Sequence, residues 1–449
     1  MRLSTWCRAL AVLVPLLAAP LPARAQSIKD LFSQLFIFGS GQDPLFLAGS
    51  ANPDNPASIQ EHGNHFIPSA VASNGSLISF LTNAIGSSVS DVPIGSSSGG
   101  QTFRFEGGVP TPTSTSAGPV FAERAQTLGR GRLLVGAGHS DFNFTSLRGV
   151  PLSNMQLYFT HENVNFAGCD TIYHDSCAKM GVPTLENDIM QFNLNVDLDV
   201  SVTSLYATYG ITDRLDFGVV VPLVDTHLSG NSLAQIIPFG GPTAAHFFGG
   251  TPADPVLSAT RTVQGAAFGL GDVVARAKYW VAENPNVNVA LYGEARFPTG
   301  SETDLLGAGA FSARGLAIVS AHVGQMNPHL NVGYGYRASN LQTDVVTATA
   351  GFDQLIASHL TLAADVLSDL QVGDSKLILP APVQYQAPFQ RTVDPTDIPN
   401  MRDDLVNGSF GFKYSAAPGY SILANILVPL NKGGLRTTTT YTAGLEYTF

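Results

Sequence analysis

Charge is what this chain has least of. Asp, Glu, Lys and Arg supply 13% of its residues, about half the ~25% share of an ordinary globular domain. The balance is acidic, a net charge of −11 with no basic cluster, which argues against nucleic acid as a partner. Long hydrophobic runs are missing too: inside the chain nothing approaches the ~18 to 20 apolar residues of a spanning helix. Catalytic signatures are also wanting. No Walker loop, His-Glu-x-x-His helix or Gly-x-Ser-x-Gly elbow is read along the chain. These absences predict a non-enzyme with no catalytic residue, no cofactor and no metal.

Low charge without spanning helices fits a chain that crosses lipid with strands, because only alternate positions then face lipid. The alternation is present. In "MQFNLNVDLDVSV" (190–202) the even positions are apolar and the odd ones polar, a period of two that a strand can use and a helix cannot. It recurs in "LDFGVVVPL", "DVVARAKYWV", "VNVALYGEARF", "LTLAADVL", "SILANILVPL" and the terminal "TYTAGLEYTF". In a soluble sandwich the apolar faces would form a core. In a membrane barrel they would meet lipid.

The compartment is written at the N-terminus. Arg2 and Arg8 flank a short n-region, Ala9–Leu21 is apolar but short and Pro-broken, and Ala23-Arg24-Ala25 is a small-x-small cleavage site. Residues 1–25 are expected to be a secretory signal peptide, cut after Ala25. Cys7 leaves with it, so Cys169 and Cys177 remain. An even count in an exported chain reads as one disulfide closing a short loop. A zinc site using the neighbouring His161, Glu162, Asp170, His174 and Asp175 is the other possibility.

Connections sort into two kinds. Tight turns rich in Asn, Asp, Pro and Gly fall at 211–214, 283–286, 325–329, 357–359 and 416–420. Between them lie outer loops, about 145–188, 229–265, 300–312, 338–343, 373–402 and 431–435. Short turns alternating with longer loops is an outer-membrane barrel layout. The expected fold is all-β, a closed antiparallel transmembrane barrel of 12 strands, or 14 if the N-terminal segment adds a hairpin. Its first strand starts at Arg132, and both ends lie on the short-turn, periplasmic side.

Residues 26–131 do not read as barrel. "SIKDLFSQLFIFG" (27–39) spaces Ile28, Leu31, Phe32, Leu35 and Phe36 as a helix does, and "SLISFLTNAIG" (76–86) is a weaker helical candidate. The segment is read as a partly helical plug-like insert, with a periplasmic tail or a disordered leader as alternatives. Glu123, Arg124, Arg130 and Arg132 would form ion pairs at the periplasmic mouth or stand in solvent. The division is thus signal peptide 1–25, plug-like segment 26–131 and barrel 132–449.

Several stretches then look familiar. "SAGPVFAERAQTLGRGRLLVG", "FTSLRGVPL", "SLYATYGITDRLDFGVVVPLV", "GLGDVVARAKYW" and "ARFPTGSETDLLGAGA" resemble a bacterial outer-membrane family labelled for the meta-pathway of phenol degradation. That family is related to the long-chain fatty-acid and aromatic-hydrocarbon channels. Tyr441, Leu445, Tyr447 and the terminal Phe449 resemble the C-terminal signal of outer-membrane barrels, which implies the barrel-assembly machinery as a partner beside outer-membrane lipid. The resemblance implies a passive channel for small hydrophobic or aromatic molecules in the outer membrane. A closed structural or surface-binding barrel is the alternative, and an outer-membrane enzyme the third. For the last, Ser73-Asn74-Gly75 has phospholipase-like letters, but His65 stands too far before it. Asn55-Pro56-Ala57 matches a channel hatch element in letters alone.

Parity assigns the lumen face. Asp197, Asp199, Asp216, Asp272, Arg276, Lys278, Glu294, Arg296, His322, Asp353, Asp365 and Lys413 are expected to point inward, with Arg276 near Glu294 and Asp272 near Arg296. In the second strand the apolar phase moves from even to odd positions after Val202. That slip predicts a β-bulge at Thr203–Ser204 and, by the resemblance, a sideways exit for ligand at the kink.

Overall fold

The computed structural model describes residues 26–38, 96–97, 103–106, 109–112, 116–159, 171, 188–238, 246–251, 253–284, 286–340, 342–379, 381–386 and 389–449. The signal peptide, the helical candidate at 76–86, Asn55-Pro56-Ala57, Ser73-Asn74-Gly75 and the Cys169/Cys177 loop lie outside these residues.

Twelve antiparallel strands close into a transmembrane barrel. They are β1 (Leu133–Leu147), β2 (Ile189–Thr212), β3 (Leu215–Ile237), β4 (Ser258–Leu270 and then Val273–Glu283), β5 (Val287–Phe297) and β6 (Ser312–Ala321). The second half comprises β7 (Met326–Arg337), β8 (Val345–Ala357), β9 (Leu360–Gln371), β10 (Leu405–Ala417), β11 (Tyr420–Pro429) and β12 (Thr440–Thr448). Each pairs with the next, and β12 returns to β1 from Tyr441↔Asp141 to Thr448↔Leu134. Closure leaves no unpaired strand edge in the part of the wall that meets lipid. The Phe449 N–H donates to the Leu133 carbonyl at 2.8 Å, so both ends of the wall meet on the short-turn side, as an even count requires. The short strands Phe103–Glu106 and Val109–Pro112 pair with each other and add nothing to the wall.

Outward side chains make the lipid band. Tyr209, Phe217, Tyr279, Leu291, Leu330 and Leu445 are exposed, and near the chain terminus Tyr447 packs against Tyr420 and Phe449, the kind of aromatic girdle that sits at a membrane interface. Tyr441, Leu445 and Phe449 lie on this outward face.

β2 corrects two expectations. Its ladders run unbroken through Thr203 and Ser204, as Thr203↔Leu223 and Ser204↔Pro222 on β3 and His139↔Thr203 and Gly138↔Ser204 on β1. There is no bulge at Thr203–Ser204 and hence no kink there for a sideways exit. The even positions point inward throughout: Phe192, Leu194, Val196, Leu198, Val200 and Val202 are buried, and so are Ser204, Tyr206 and Thr208. What changes is the surroundings. β2 has 24 residues, which at ~3.3 Å each and ~45° of tilt rise about 56 Å, over twice the ~25 Å apolar band. Below Thr203 the outside is lipid and the inside polar. Above it the outside is water and the inside an apolar chamber. Asp197 and Asp199 therefore face outward into water, and not into the lumen.

A bulge does exist, two strands along. Leu270 pairs with Leu223 and Val274 with Val220, so four steps along β4 match three along β3. The extra residue lies at Gly271–Asp272, level with Thr203. It also shifts the outward parity from Phe268 and Leu270 to Tyr279 and Val281. Residues 229–237 and 258–265, expected within a loop, are strand.

Candidate lumen site

The floor of the lumen is the segment 116–132. Most of its residues as far as Gly129 are buried, among them Ser116, Ala117, Val120, Glu123, Ala125 and Leu128. It crosses from β8 and β9 to β2 and β3 near the short-turn end, held by polar wall residues. Ser116 Oγ donates to Asp353, and the Ala117 N–H to Thr361 Oγ1 at 2.9 Å. Asn331 clamps Glu123 at both backbone groups, accepting its N–H at 2.8 Å and donating to its carbonyl at 2.7 Å. The Ala125 N–H donates to Ser320 Oγ at 2.9 Å and the Leu128 N–H to Asp216 at 2.9 Å. Finally Gly129–Arg132 lies against Gly210, whose missing Cβ would overlap the Gly129 carbonyl. Residues 95–99 do spell Gly-x-Ser-x-Gly, which the sequence reading overlooked, and Ser97 Oγ donates to Glu123 at 2.6 Å, fastening it to the floor.

Inside the wall several charged groups are paired, most of them buried. Lys278 meets Glu123 of the floor at 3.3 Å, Lys413 meets Glu446 at 3.4 Å, and Arg314 meets Glu294 at 2.9 Å. The Glu446 carboxylate also accepts from the Tyr206 hydroxyl at 3.0 Å. His329 lies between Asp365 at 2.6 Å and Asp353 at 3.7 Å. Such pairs are weak evidence for stability, because desolvation offsets much of the attraction, but Lys278 with Glu123 ties the floor to the wall.

Of the residues expected inward, Asp216, Asp272, Arg276, Lys278, Arg296, Asp353, Asp365 and Lys413 are buried, and Glu294 is 8% exposed at its side chain. Arg276 is opposite Glu294 in the ladder. Asp272 sits in the bulge, off the ladder, and accepts the N–H groups of Gly300 at 3.0 Å and Ala308 at 2.8 Å. His322 is exposed in the β6–β7 turn beside Asn327 and does not line the lumen: the chain reverses there, and the next inward histidine is His329. Sequence reading assigned 325–329 to a turn and so missed it. Arg124, expected at the periplasmic mouth, is instead buried in the floor.

At the outer end stands the apolar chamber. α1 (Ile28–Gln34), capped by Ser27 Oγ accepting from the Asp30 N–H, buries Ile28 and Phe32 in it, and the turn that follows buries Leu35 and Phe36. A seven-residue helix is too short to persist alone. Burial supplies what propensity cannot, at about 1.5–3 kcal/mol for each large apolar side chain. Phe36 and Phe159 meet Phe192 of β2 at ring separations of 5.5 and 4.9 Å. Lys29 pairs with Glu302, and its N–H donates to the Thr303 carbonyl, tying α1 to the loop that Asp272 holds.

Beside the chamber, between floor and outer loops, lies a cavity of about 260 Å³. Phe121 and Glu123 of the floor close it below, and Phe142, Phe144 and Tyr292 give it aromatic wall. Arg296 and Arg436 also face it. At the rim Arg436 is surrounded by neutral oxygens of Val406, Asn407 and Asn431, and burial pushes its guanidinium down to about 10.

Residues 184–373 match the family model described as "Putative MetA-pathway of phenol degradation". No curated protein matches the chain. Among solved structures, an outer membrane channel of Pseudomonas putida F1 is similar at 12% identity and a TM-score of 0.42, over 72% of this chain and 98% of that one. A FadL homologue of Pseudomonas aeruginosa is similar at 12% identity and a TM-score of 0.30, over 71% and 89%. The deltaS2S3 mutant of the TodX monoaromatic hydrocarbon channel is similar at 13% identity and 0.29, over 71% and 89%. The family match runs from just before β2 to just past β9, so the strands that carry the bulge and much of the charged wall are a match to the phenol-degradation family.

Proposed function

We propose that the protein is an outer-membrane channel that admits small aromatic or otherwise hydrophobic molecules, closed in this state by its own floor. The observation that carries this reading is the cavity between the outer loops and the floor, with aromatic wall on two sides. The floor is fastened chiefly by hydrogen bonds to the wall, and such bonds contribute only about 0.5–1.5 kcal/mol net each, so it can give way without unfolding the barrel. The family match supports the same reading. On it, the chain reaches the outer membrane after loss of residues 1–25, with 26–131 as the closing segment, 132–449 as the wall, and no enzymatic step.

Proteoliposomes test this. Uptake of labelled phenol should exceed that of empty vesicles, and Asn331→Ala, which unclamps Glu123, should raise it. If neither protein passes phenol or ions, the channel reading falls. The closed structural barrel, favoured by the floor crossing the whole lumen, then takes its place.

A further inference from the structure

The cavity has a charge pattern that the chain as a whole does not. The protein carries −11 overall, yet most carboxylates facing the cavity are already engaged. Glu294 is held by Arg314, Glu123 by Lys278 and Asp403 by Arg148 at 2.7 Å. That leaves Asp369 against Arg296, Arg436 and, at the exposed rim, Lys376.

Arg296 is the residue that needs explaining. It is 6% exposed, and its inward direction is set by the β5 ladder, opposite Val274 and Ser312. Its charge acts on Glu294, the next inward residue, but among the described residues it makes no hydrogen bond or ion pair, and it lines the cavity. A buried guanidinium with its donors unused is costly, and five donors in a planar fork suit a carboxylate. Tyr292, two inward positions along the same strand, provides a ring face beside it, and Phe142 and Phe144 provide another across the cavity.

We propose that this cavity binds a small aromatic anion, a one-ring carboxylate, with Arg296 holding the carboxylate and the aromatic wall holding the ring. The proposal deepens the channel reading and rests on it for the route inward, but the site itself is a matter of binding. Neutral hydrocarbons gain nothing from Arg296. Lys376 and Arg436 add a field that draws anions past an acidic surface, an effect that salt screens.

The test uses the full mature chain in nanodiscs, with benzoate and benzyl alcohol as probes of nearly equal size and different charge, followed by calorimetry. Benzoate should bind saturably, at least about tenfold tighter than benzyl alcohol, and more weakly in high salt, a gap that corresponds to about 1.4 kcal/mol. Arg296→Gln should abolish the gap and Arg296→Lys retain part of it. Equal affinity for the two probes, or an unchanged gap in Arg296→Gln, overturns the proposal. Should Arg296→Gln fail to fold, Lys376→Gln at the exposed rim is read instead: it should weaken benzoate severalfold and leave benzyl alcohol alone, and no change refutes the cationic site. Uptake into liposomes separates the two readings. Benzoate bound but not transported removes the channel and leaves the site. Benzyl alcohol transported with no benzoate binding removes the site and leaves the channel.

Discussion

Three arginine substitutions in β2 test the change of surroundings at Thr203. Ala207 faces outward within the band, Asp197 faces outward above it, and Leu198 faces the chamber with 0% exposure. Ala207→Arg places a cation in lipid near mid-band, at a cost of about 2–4 kcal/mol, which lowers the folded fraction relative to unfolded roughly 30- to 900-fold. Asp197→Arg exchanges one solvated charge for another and should fall within about 0.5 kcal/mol of the parent. Leu198→Arg loses the ~1.5–3 kcal/mol of a buried leucine and leaves a buried cation without a partner, for a total loss of several kcal/mol. Guanidinium unfolding in phospholipid vesicles, read from Trp280 fluorescence, gives the three values. A cost at Asp197 matching that at Ala207 would put residue 197 in lipid, and β2 could not then rise out of the membrane above Thr203.

Other expectations follow from the same contacts. Gly210→Val drives a side chain into the Gly129 carbonyl, so the floor's last turn must lift, and protease access to residues 116–132 from the periplasmic face should rise while the barrel stays heat-modifiable on gels. Asp272→Ala removes the acceptor for the Gly300 and Ala308 N–H groups; at about 1.5–3 kcal/mol for each bond to a charged group, amide exchange at both should accelerate by at least about tenfold, and α1 should loosen with the loop. Asp404 has its carboxyl held below the usual range by the Arg402 side chain and by the Gln371 N–H. Its tether on the β9–β10 loop is therefore present above the unfolded value near ~3.9 and lost as pH falls through the lower folded value. Exchange at Gln371 should quicken only on acidification below about pH 4, and Asp404→Asn should remove that step.

The barrel was legible because lipid imposes one rule on every strand. β5, β9, β11 and β12 alternate as they must when one face meets hydrocarbon, and their inward residues Glu294, Arg296, Asp365 and Glu446 follow by parity. The two aspartates at 197 and 199 were misread for the same reason. Alternation says that two faces differ, not which is inside, and β2 outruns the membrane, so its apolar face turns from lipid-facing to core-forming without a change of register. The apparent slip at Thr203 was a change of solvent.

By itself, then, the sequence determined the strand period, the even count and the meeting of the ends, because these depend on hydrogen-bond closure and a two-residue repeat. Only the tertiary structure decided which loops rise as strands above the membrane, where the bulge lies, and that residues 116–132 cross the lumen from β8 and β9 to β2 and β3. It also decided that Arg296 faces a cavity while Arg314, one strand away, is spent on Glu294. Those outcomes depend on which residues meet across the barrel, separated by tens to hundreds of positions along the chain, and no local pattern records such distances.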